Sequence, residues 1–441
     1  MGLSAFALVV SACASSIGSA EPTTSAPTVE TSATTTTTTA APPTSVTSTE
    51  GPSRVTIVGA TDEALSTALA DFYSAAVDPR NDPGTAPEGL VAAATEANTS
   101  GAATRSVRVV RRELPNGDDV AVIHATAAGS TEEDLLFAAN TGLAWQVVAG
   151  RFTGGTTWLG DERLAFMAIG SDARPGQNQE RLRADSLHVI TLSPDGTGGA
   201  IVGFPRDTLI DRELMVAAAA RIGLLESELP GTSRKFTLLM ANRGPELIRS
   251  TAEELTGMSL EGHVLVGFQG FDGLMSTLGK VPIDLPKYVN CSVECDHDFM
   301  PGPQTLNADE ALDLARARKG VPGGDLGRSF NQGLIIIAAM DMVQGMNVDL
   351  LPTLLPTLLE YGFTDLATDR LLTLGAAAFL TDAETMENMV IPGRLGWYGK
   401  ASVVLLNMEE AAAVSADIDA DGLLDGSPAP LESEPEAGID G

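Results

Sequence analysis

Basic residues are scarce in this chain, 27 Lys and Arg against 58 Asp and Glu, yet its arginines gather beside aspartates in three short stretches. The first, "GSDARPGQNQERLRADSLHVITL", carries Asp172, Arg174, Arg181, Arg183 and Asp185. The second, "GFPRDTLI", carries Arg206 and Asp207. The third, "LARARKGVPGGDLGRSFNQ", carries Arg316, Arg318, Lys319, Asp325, Arg328 and Gln332, and Lys235 lies between the second and third. Guanidinium forks match phosphate oxygens and keep their charge in partly apolar surroundings. Aspartates beside them suit Mg2+, which takes one or two carboxylates and completes its shell with water and substrate phosphate. Any one of these residues alone is more often a surface ion pair. Together they point to a cleft for a diphosphate. The sequence has neither a P-loop nor a GxGxxG unit, which argues against a nucleotide.

Each stretch sits at the end of an apolar element, where a fold collects functional side chains. "RLAFMAIG", "SLHVITLS" and "GGAIVGFP" read as strands, with Pro205 ending the third because it cannot donate to a ladder. A helix in "GPELIRSTAEELTG", a strand in "GHVLVGFQ", a helix in "FDGLMSTLG" and a strand around "KVPIDLP" follow. "NADEALDLARAR" reads as a helix capped by Asn307 or Asp309 and closed by Arg316 and Arg318, whose charges suit its C-terminal dipole. "DLGRSFNQGLIIIAAMDMVQG" reads as a helix that puts Arg328 and Gln332 on one face, four residues apart. Two further helices are expected in "DLLPTLLPTLLEYG", broken by its prolines, and in "TDRLLTLGAAAFL". Strands alternating with helices predict an α/β domain over 160–405, layered α-β-α with a mixed central sheet.

Upstream, 53–150 reads as a small α+β unit with no converging chemistry. It has a strand in "RVTIVGA", a helix in "DEALSTALADFYSAAV", a hairpin around Pro115-Asn116-Gly117 and a strand in "LAWQVVAG". Residues 21–52 are rich in Thr, Ser, Pro and Ala without apolar periodicity, the composition of a disordered stalk. Before them, "LSAFALVVSAC" reads as an export signal ending at Cys13, resembling a lipobox, although no basic residue precedes the apolar run. The apolar stretch is too short to span a bilayer, so the expected state is an extracytoplasmic lipoprotein held to the membrane by a lipid on Cys13.

Export colours the other two cysteines. Cys291 and Cys295 in "CSVEC" are expected to form a small disulfide; a metal site using His297 and its flanking aspartates is the alternative. His124, His188 and His263 are scattered and read as structural. The formal charge of −31 argues against nucleic acid as a partner. From about residue 415 the chain carries eight carboxylates and no basic residue, the pattern of a disordered acidic tail. Within it Asp417, Asp419, Asp421, Gly422 and Asp425 match the front of a Ca2+ loop, but Pro428 stands where the closing Glu belongs.

The stretches "FMAIGSDARPG…RADSLHVITLSPDGTGGAIVGFPRDTLI", "KFTLLMANRGPELIRSTAEELTG", "GHVLVGFQGFDGLMSTLGKVPIDLP" and "LNADEALDLARARKGVPGGDLGRSFNQ" resemble, in order and spacing, the LytR-CpsA-Psr family domain over about 163–345. The resemblance implies an envelope phosphotransferase that moves a glycopolymer from a polyprenyl-diphosphate carrier to peptidoglycan. It implies that Asp172 and Asp185 hold Mg2+ (or Mn2+), with Asp185 also a candidate base. It puts Arg183, Arg206, Arg316, Arg318 and Gln332 around the diphosphate, with Arg183 and Arg206 in catalytic roles. It makes Lys235, Asp325 and Arg328 pocket residues and leaves Asp207 to orient Arg206. Arg243-Gly244, Gly279-Lys280 and Asn331 depart from the family pattern, and the family is usually held by a transmembrane helix. Two other functions stay open: a diphosphatase that uses water as acceptor, and a lipoprotein that binds lipid-linked glycans without turnover.

Overall fold

The computed structural model describes residues 53–97, 102–231, 234–292 and 294–425, with a short backbone strand at 437–439. Cys13 and the stalk at 21–52 lie outside the described residues.

The N-terminal sheet comprises β1 (Thr56–Val58), β2 (Thr104–Glu113), β3 (Asp119–Ala127), β4 (Glu133–Asn140), β5 (Trp145–Arg151) and β6 (Thr157–Trp158), ordered as numbered. β1 lies parallel to β2, and the other pairs are antiparallel. The expected hairpin joins β2 to β3, where Leu114 N donates to Asp118 O at 2.7 Å and Gly117 takes φ +88°. Helices α1 (Glu63–Val77) and α2 (Glu88–Ala97) cover one face, and the Asp62 side chain caps α1 by accepting from Leu65 N. Successive residues of a strand face opposite sides. Ala121, Ile123 and Ala125 therefore pack with α1 and α2, while Val120 and Val122 face the other way, into the core of the following domain.

That domain is built on β7 (Leu164–Ser171), β8 (Ala184–Leu192), β9 (Gly199–Gly203), β10 (His263–Val266), β13 (Gly362–Thr364) and β14 (Met386–Val390). Their order is β13-β10-β7-β8-β9-β14. The sheet is mixed: β10 is parallel to β7 and β14 to β9, and the remaining neighbours are antiparallel. Alternation again sorts the faces. Ala165, Met167, Leu187 and Val189 pack under α3 (Arg212–Arg221), α4 (Phe236–Arg243) and α5 (Pro245–Thr256). Leu164, Phe166, Ile190 and Leu192 pack under the long helix α8 (Asp325–Gln344) and its neighbours. Between them in sequence lie α6 (Phe268–Leu278), the β11–β12 hairpin (Val281–Leu285, Gly302–Leu306) and α7 (Ala308–Arg316). Asn307 caps α7 with a full capping box, its side chain accepting from Glu310 N. The domain ends with α9 (Leu351–Tyr361), α10 (Thr368–Leu380), the β15–β16 hairpin (Gly393–Tyr398, Ala401–Leu406) and α11 (Met408–Asp421). The strand β17 (Ala437–Ile439) adds to β15.

The layered mixed sheet expected from the alternation is present. Three expectations are corrected. The N-terminal unit does not end at 150 as a separate body: β6 extends its sheet to Trp158, and its second face shares one core with α9 and α10, so layers run helix, sheet, helix, sheet, helix. The prolines do not break α9, because Pro352 occupies the first turn, where its missing N–H is an orphan anyway, and the helix continues through Pro356. The stretch from 415 is not all tail: α11 runs to Asp421 and buries Ile418 fully beneath α5. Among the described residues, no single helix is long and apolar enough to cross a membrane.

Candidate functional site

Four segments deliver the arginines. β9 ends at Gly203, and the chain turns at Pro205, where Thr208 N and Oγ1 both donate to Pro205 O. The turn is stitched on two sides: Thr237 N at the start of α4 donates to Arg206 O, and Val404 N of β16 donates to Asp207 O. Arg206 thus stands at the strand end, and its Nη1 donates to Asp185 Oδ1 of β8 at 2.5 Å. α7 ends at Arg316, whose guanidinium lies 5.2 Å from the Phe268 ring centroid, within cation–π range. Arg318 follows on the loop, and α8 then carries Asp325, Arg328 and Gln332 in its first two turns.

These groups form a charged cluster beside a cavity of about 510 Å³. Asp207 is buried, with its carboxylate between Lys235 Nζ at 3.0 Å and the Arg318 guanidinium. Asp325 is buried behind it, accepting from Asp207 N at 2.9 Å and pairing with Arg328 Nη2 at 2.5 Å. Gln332 Nε2 donates to Ala315 O at 2.8 Å, tying α8 to α7. Arg206, Arg316, Arg318, Arg328 and Gln332 line the cavity with Asp185. Lys235, Asp207 and Asp325 stand behind that lining. Burial opposes the Arg206 charge, but Asp185, Asp207 and Asp325 more than offset it and raise its pKa. For Arg328 burial wins, helped by Arg206 and Arg318, and its pKa is lowered despite Asp325 and Asp185. Among the described residues, the Nε atoms of Arg206 and Arg328 are buried without an acceptor. Cations outnumber carboxylates here, in a chain whose formal charge is −31. Val264, Val266, Phe271, Ile335 and Ile336 add an apolar part to the same lining, the two isoleucines on the helix that carries Arg328 and Gln332. Such a cavity accepts an anionic head and an apolar tail together.

Some expected roles shift. Asp207 does not orient Arg206, because its oxygens are taken by Lys235 and Arg318; Asp185 pairs with Arg206 instead. Asp172 and Arg183 pair with each other at 2.9 Å just beyond the ends of β7 and β8, and the Arg183 side chain is 57% exposed. Neither lines the cavity. Asp172 and Asp185 lie at the ends of paired strands and carry the hard carboxylate oxygens Mg2+ prefers, with both Asp172 oxygens engaged by Arg183 and Asp185 Oδ1 by Arg206. Cys291 and Cys295 are joined as a disulfide, so their thiolates are not metal donors, and Asp298 is engaged by Tyr288 and Ser292. The calcium-loop reading fails because Asp417, Asp419 and Asp421 lie on α11. Gly422 is its left-handed C-cap, Asp419 pairs with Arg163, and Asp417 accepts from Asp425 N. Asn331 is buried on α8 away from the lining.

Sequence reasoning missed His188, set aside as structural, although it lines the cavity. Burial, with the Arg328 charge adding to it, lowers its pKa from 6.5 to about 4, so the imidazole is neutral. Its Nδ1 meets Ser186 Oγ at 3.2 Å and its Nε2 meets Ser329 O at 3.1 Å. A Cβ on Gly203 would lie 2.4 Å from Ser329 Oγ, so only glycine lets β9 approach α8 this closely. The only signal in the sequence is a polar residue in an apolar strand.

The sequence model of the LytR_cpsA_psr family matches residues 144–419, more than half of the chain. Over 182 residues the chain is 29% identical to the polyisoprenyl-teichoic acid–peptidoglycan teichoic acid transferase TagV of Bacillus subtilis, which covers 40% of this chain and 42% of TagV. It is 28% identical over 181 residues to the transferase TagU of Bacillus mycoides, covering 41% of this chain and 52% of TagU. The chain therefore spans about half the length of the curated relatives it matches. The crystal structure of B. subtilis TagV aligns with a TM-score of 0.47 at 22% identity, covering 59% of this chain and 97% of that one.

Proposed function

The chain belongs to the LytR_cpsA_psr family, and on that premise we propose that it is an extracytoplasmic phosphotransferase moving a glycopolymer from a polyprenyl-diphosphate carrier to peptidoglycan. The observation that carries this reading is the cavity itself, whose lining combines a guanidinium cluster with aliphatic and aromatic side chains. A lipid diphosphate has both characters in one molecule.

In this reading Arg206, Arg316, Arg318 and Arg328 grip the diphosphate and stabilise the charge that spreads over its oxygens as the bond to the leaving group breaks. The acceptor hydroxyl forms a new P–O bond to the sugar-linked phosphorus. The bond from that phosphorus to the bridging oxygen breaks, and polyprenyl phosphate leaves with the electron pair, its new terminal oxygen taking up the proton that the acceptor hydroxyl loses. Asp207 and Asp325 fix the heads of Arg318 and Arg328, and Asp185 fixes Arg206. Asp172 and Asp185 are the residues to hold a divalent ion, which when bound neutralises phosphate charge. Cys13 serves as the lipid-modified anchor.

Purified protein is incubated with a synthetic polyprenyl-diphosphate sugar, Mg2+ and peptidoglycan fragments, and products are followed by mass. Sugar phosphate joined to the glycan is the expected result. Free sugar phosphate alone, with acceptor present, replaces transfer by hydrolysis. Unchanged donor that co-purifies with the protein removes both enzymatic readings. Labelling with a fatty-acid analogue that is lost in Cys13→Ser tests the anchor.

A further inference from the structure

The loop carrying Arg318 belongs to no regular element. α7 ends at its C-cap Ala317, and the chain runs through Gly320, Gly323 and Gly324 before α8 begins at Asp325. A glycine-rich connection of this kind has much conformational freedom to lose, yet it must hold a guanidinium beside a reacting phosphate.

Its fixed points come from the disulfide loop. Glu294 Oε2 accepts from the backbone N of Arg318 at 2.6 Å and of Lys319 at 3.0 Å. Asn290 N donates to Gly320 O at 3.1 Å, and a Cβ on Gly320 would lie 1.7 Å from Asn290 O, so the two chains are in direct apposition. Glu294 is itself held. The Cys291–Cys295 bond closes a single turn, inside which Glu294 N and Cys295 N both donate to Cys291 O. The Cys291 side of the turn is fully buried, while Glu294 and Cys295 line the cavity. Burial disfavours the Glu294 charge, but the two N–H donors of Lys319 and Arg318 and their side-chain charges more than offset it and lower its pKa.

We infer that Glu294, mounted on the disulfide-closed turn, is a positioning residue that sets the backbone of Arg318 and so aims its guanidinium at the phosphates. The inference rests on the proposed diphosphate site. Glu294 acts through two backbone N–H groups rather than on substrate, so acceptance of those bonds is what counts, and a neutral amide oxygen can provide it.

The full chain is compared with Glu294→Ala, Glu294→Gln and the double variant Cys291→Ser/Cys295→Ser. Three quantities are read: hydrogen exchange at amides 318 and 319, affinity for inorganic pyrophosphate by calorimetry, and KM and kcat with the lipid donor. Glu294→Ala is expected to speed exchange at both amides and weaken pyrophosphate binding, each by about tenfold, with KM rising in step. Glu294→Gln recovers most of both, and the double cysteine variant follows Glu294→Ala. Wild-type exchange in Glu294→Ala, weaker binding without faster exchange at 318 and 319, or a Gln variant as impaired as Ala each overturns the inference. A wild-type protein that binds pyrophosphate but never turns over donor removes the transferase reading, while the exchange data still decide the role of Glu294.

Discussion

Two regions of this molecule bury arginine against aspartate, and they use the pair in opposite ways. In the N-terminal sheet, Arg105 Nη1 meets Asp134 Oδ2 at 2.6 Å, with the two side chains 4% and 5% exposed. Asp134 also accepts from Tyr73 Oη and from Thr153 N and Oγ1, and the Arg105 guanidinium stacks 4.0 Å from the Tyr73 ring centroid. Burial, then the Asp134 charge, raises the Tyr73 pKa well above its usual value. That constellation is balanced and enclosed: one carboxylate has gathered its donors. In the cavity lining, Asp185, Glu294 and Asp313 are outnumbered by Arg206, Arg316, Arg318, Lys319 and Arg328, and this charge shares the cavity with apolar groups. A closed pair holds a fold in one register, whereas an unbalanced cluster is an anion site.

Mutation should separate the two. Arg105→Ala leaves Asp134 buried and uncompensated, and is expected to cost about 3–5 kcal/mol of stability by denaturant unfolding, with turnover per folded molecule unchanged. Combining Arg105→Met with Asp134→Leu should recover most of that loss; failure to do so would show that the enclosed pair does more than hold the fold. Arg206→Ala should lower kcat by about 10²–10³-fold with the folded state retained, and retained activity would place the chemistry elsewhere.

His188 adds a pH test of how dry the cavity floor is. Its folded pKa lies below the unfolded value, at about 4 against 6.5. Between those values the unfolded chain takes up a proton that the folded chain refuses, so stability is full above pH 6.5 and falls as the pH drops toward 4. The difference between wild type and His188→Gln across that window should approach about 3 kcal/mol. The smallest effect is expected at the exposed pair: Arg183→Ala should change stability by less than about 1 kcal/mol, so any larger loss of turnover reports on substrate rather than on folding.

Local physics made part of this legible in the chain. Pro205 ends β9, Asn307 caps α7, and alternation along β7 and β8 sorts each strand into two buried faces. Arg328 and Gln332 share a helix face because they are four residues apart, and both line the cavity. Other features were not legible because their partners are far away in sequence. Asp207 and Asp325 are 118 residues apart, and nothing near either one shows that Asp207 belongs to Arg318 and Lys235 rather than to its neighbour Arg206. Ile418 stands between Asp417 and Asp419 in an acidic run, and only its packing beneath α5 accounts for its burial. The stretch 53–150 reads as a small unit of its own because nothing within it shows that the second face of its sheet packs with α9 and α10.

From its residues alone, the chain determined which elements form and that arginine and aspartate collect at their ends, because caps, periodicity and strand-ending prolines act over a few residues. Which carboxylate takes which guanidinium, that His188 stays neutral, and that Glu294 reaches the backbone of Arg318 were decided only by the tertiary structure. Pairing energies of charges depend on distance and on exclusion of water, and both are set when segments far apart in sequence close over the same cavity.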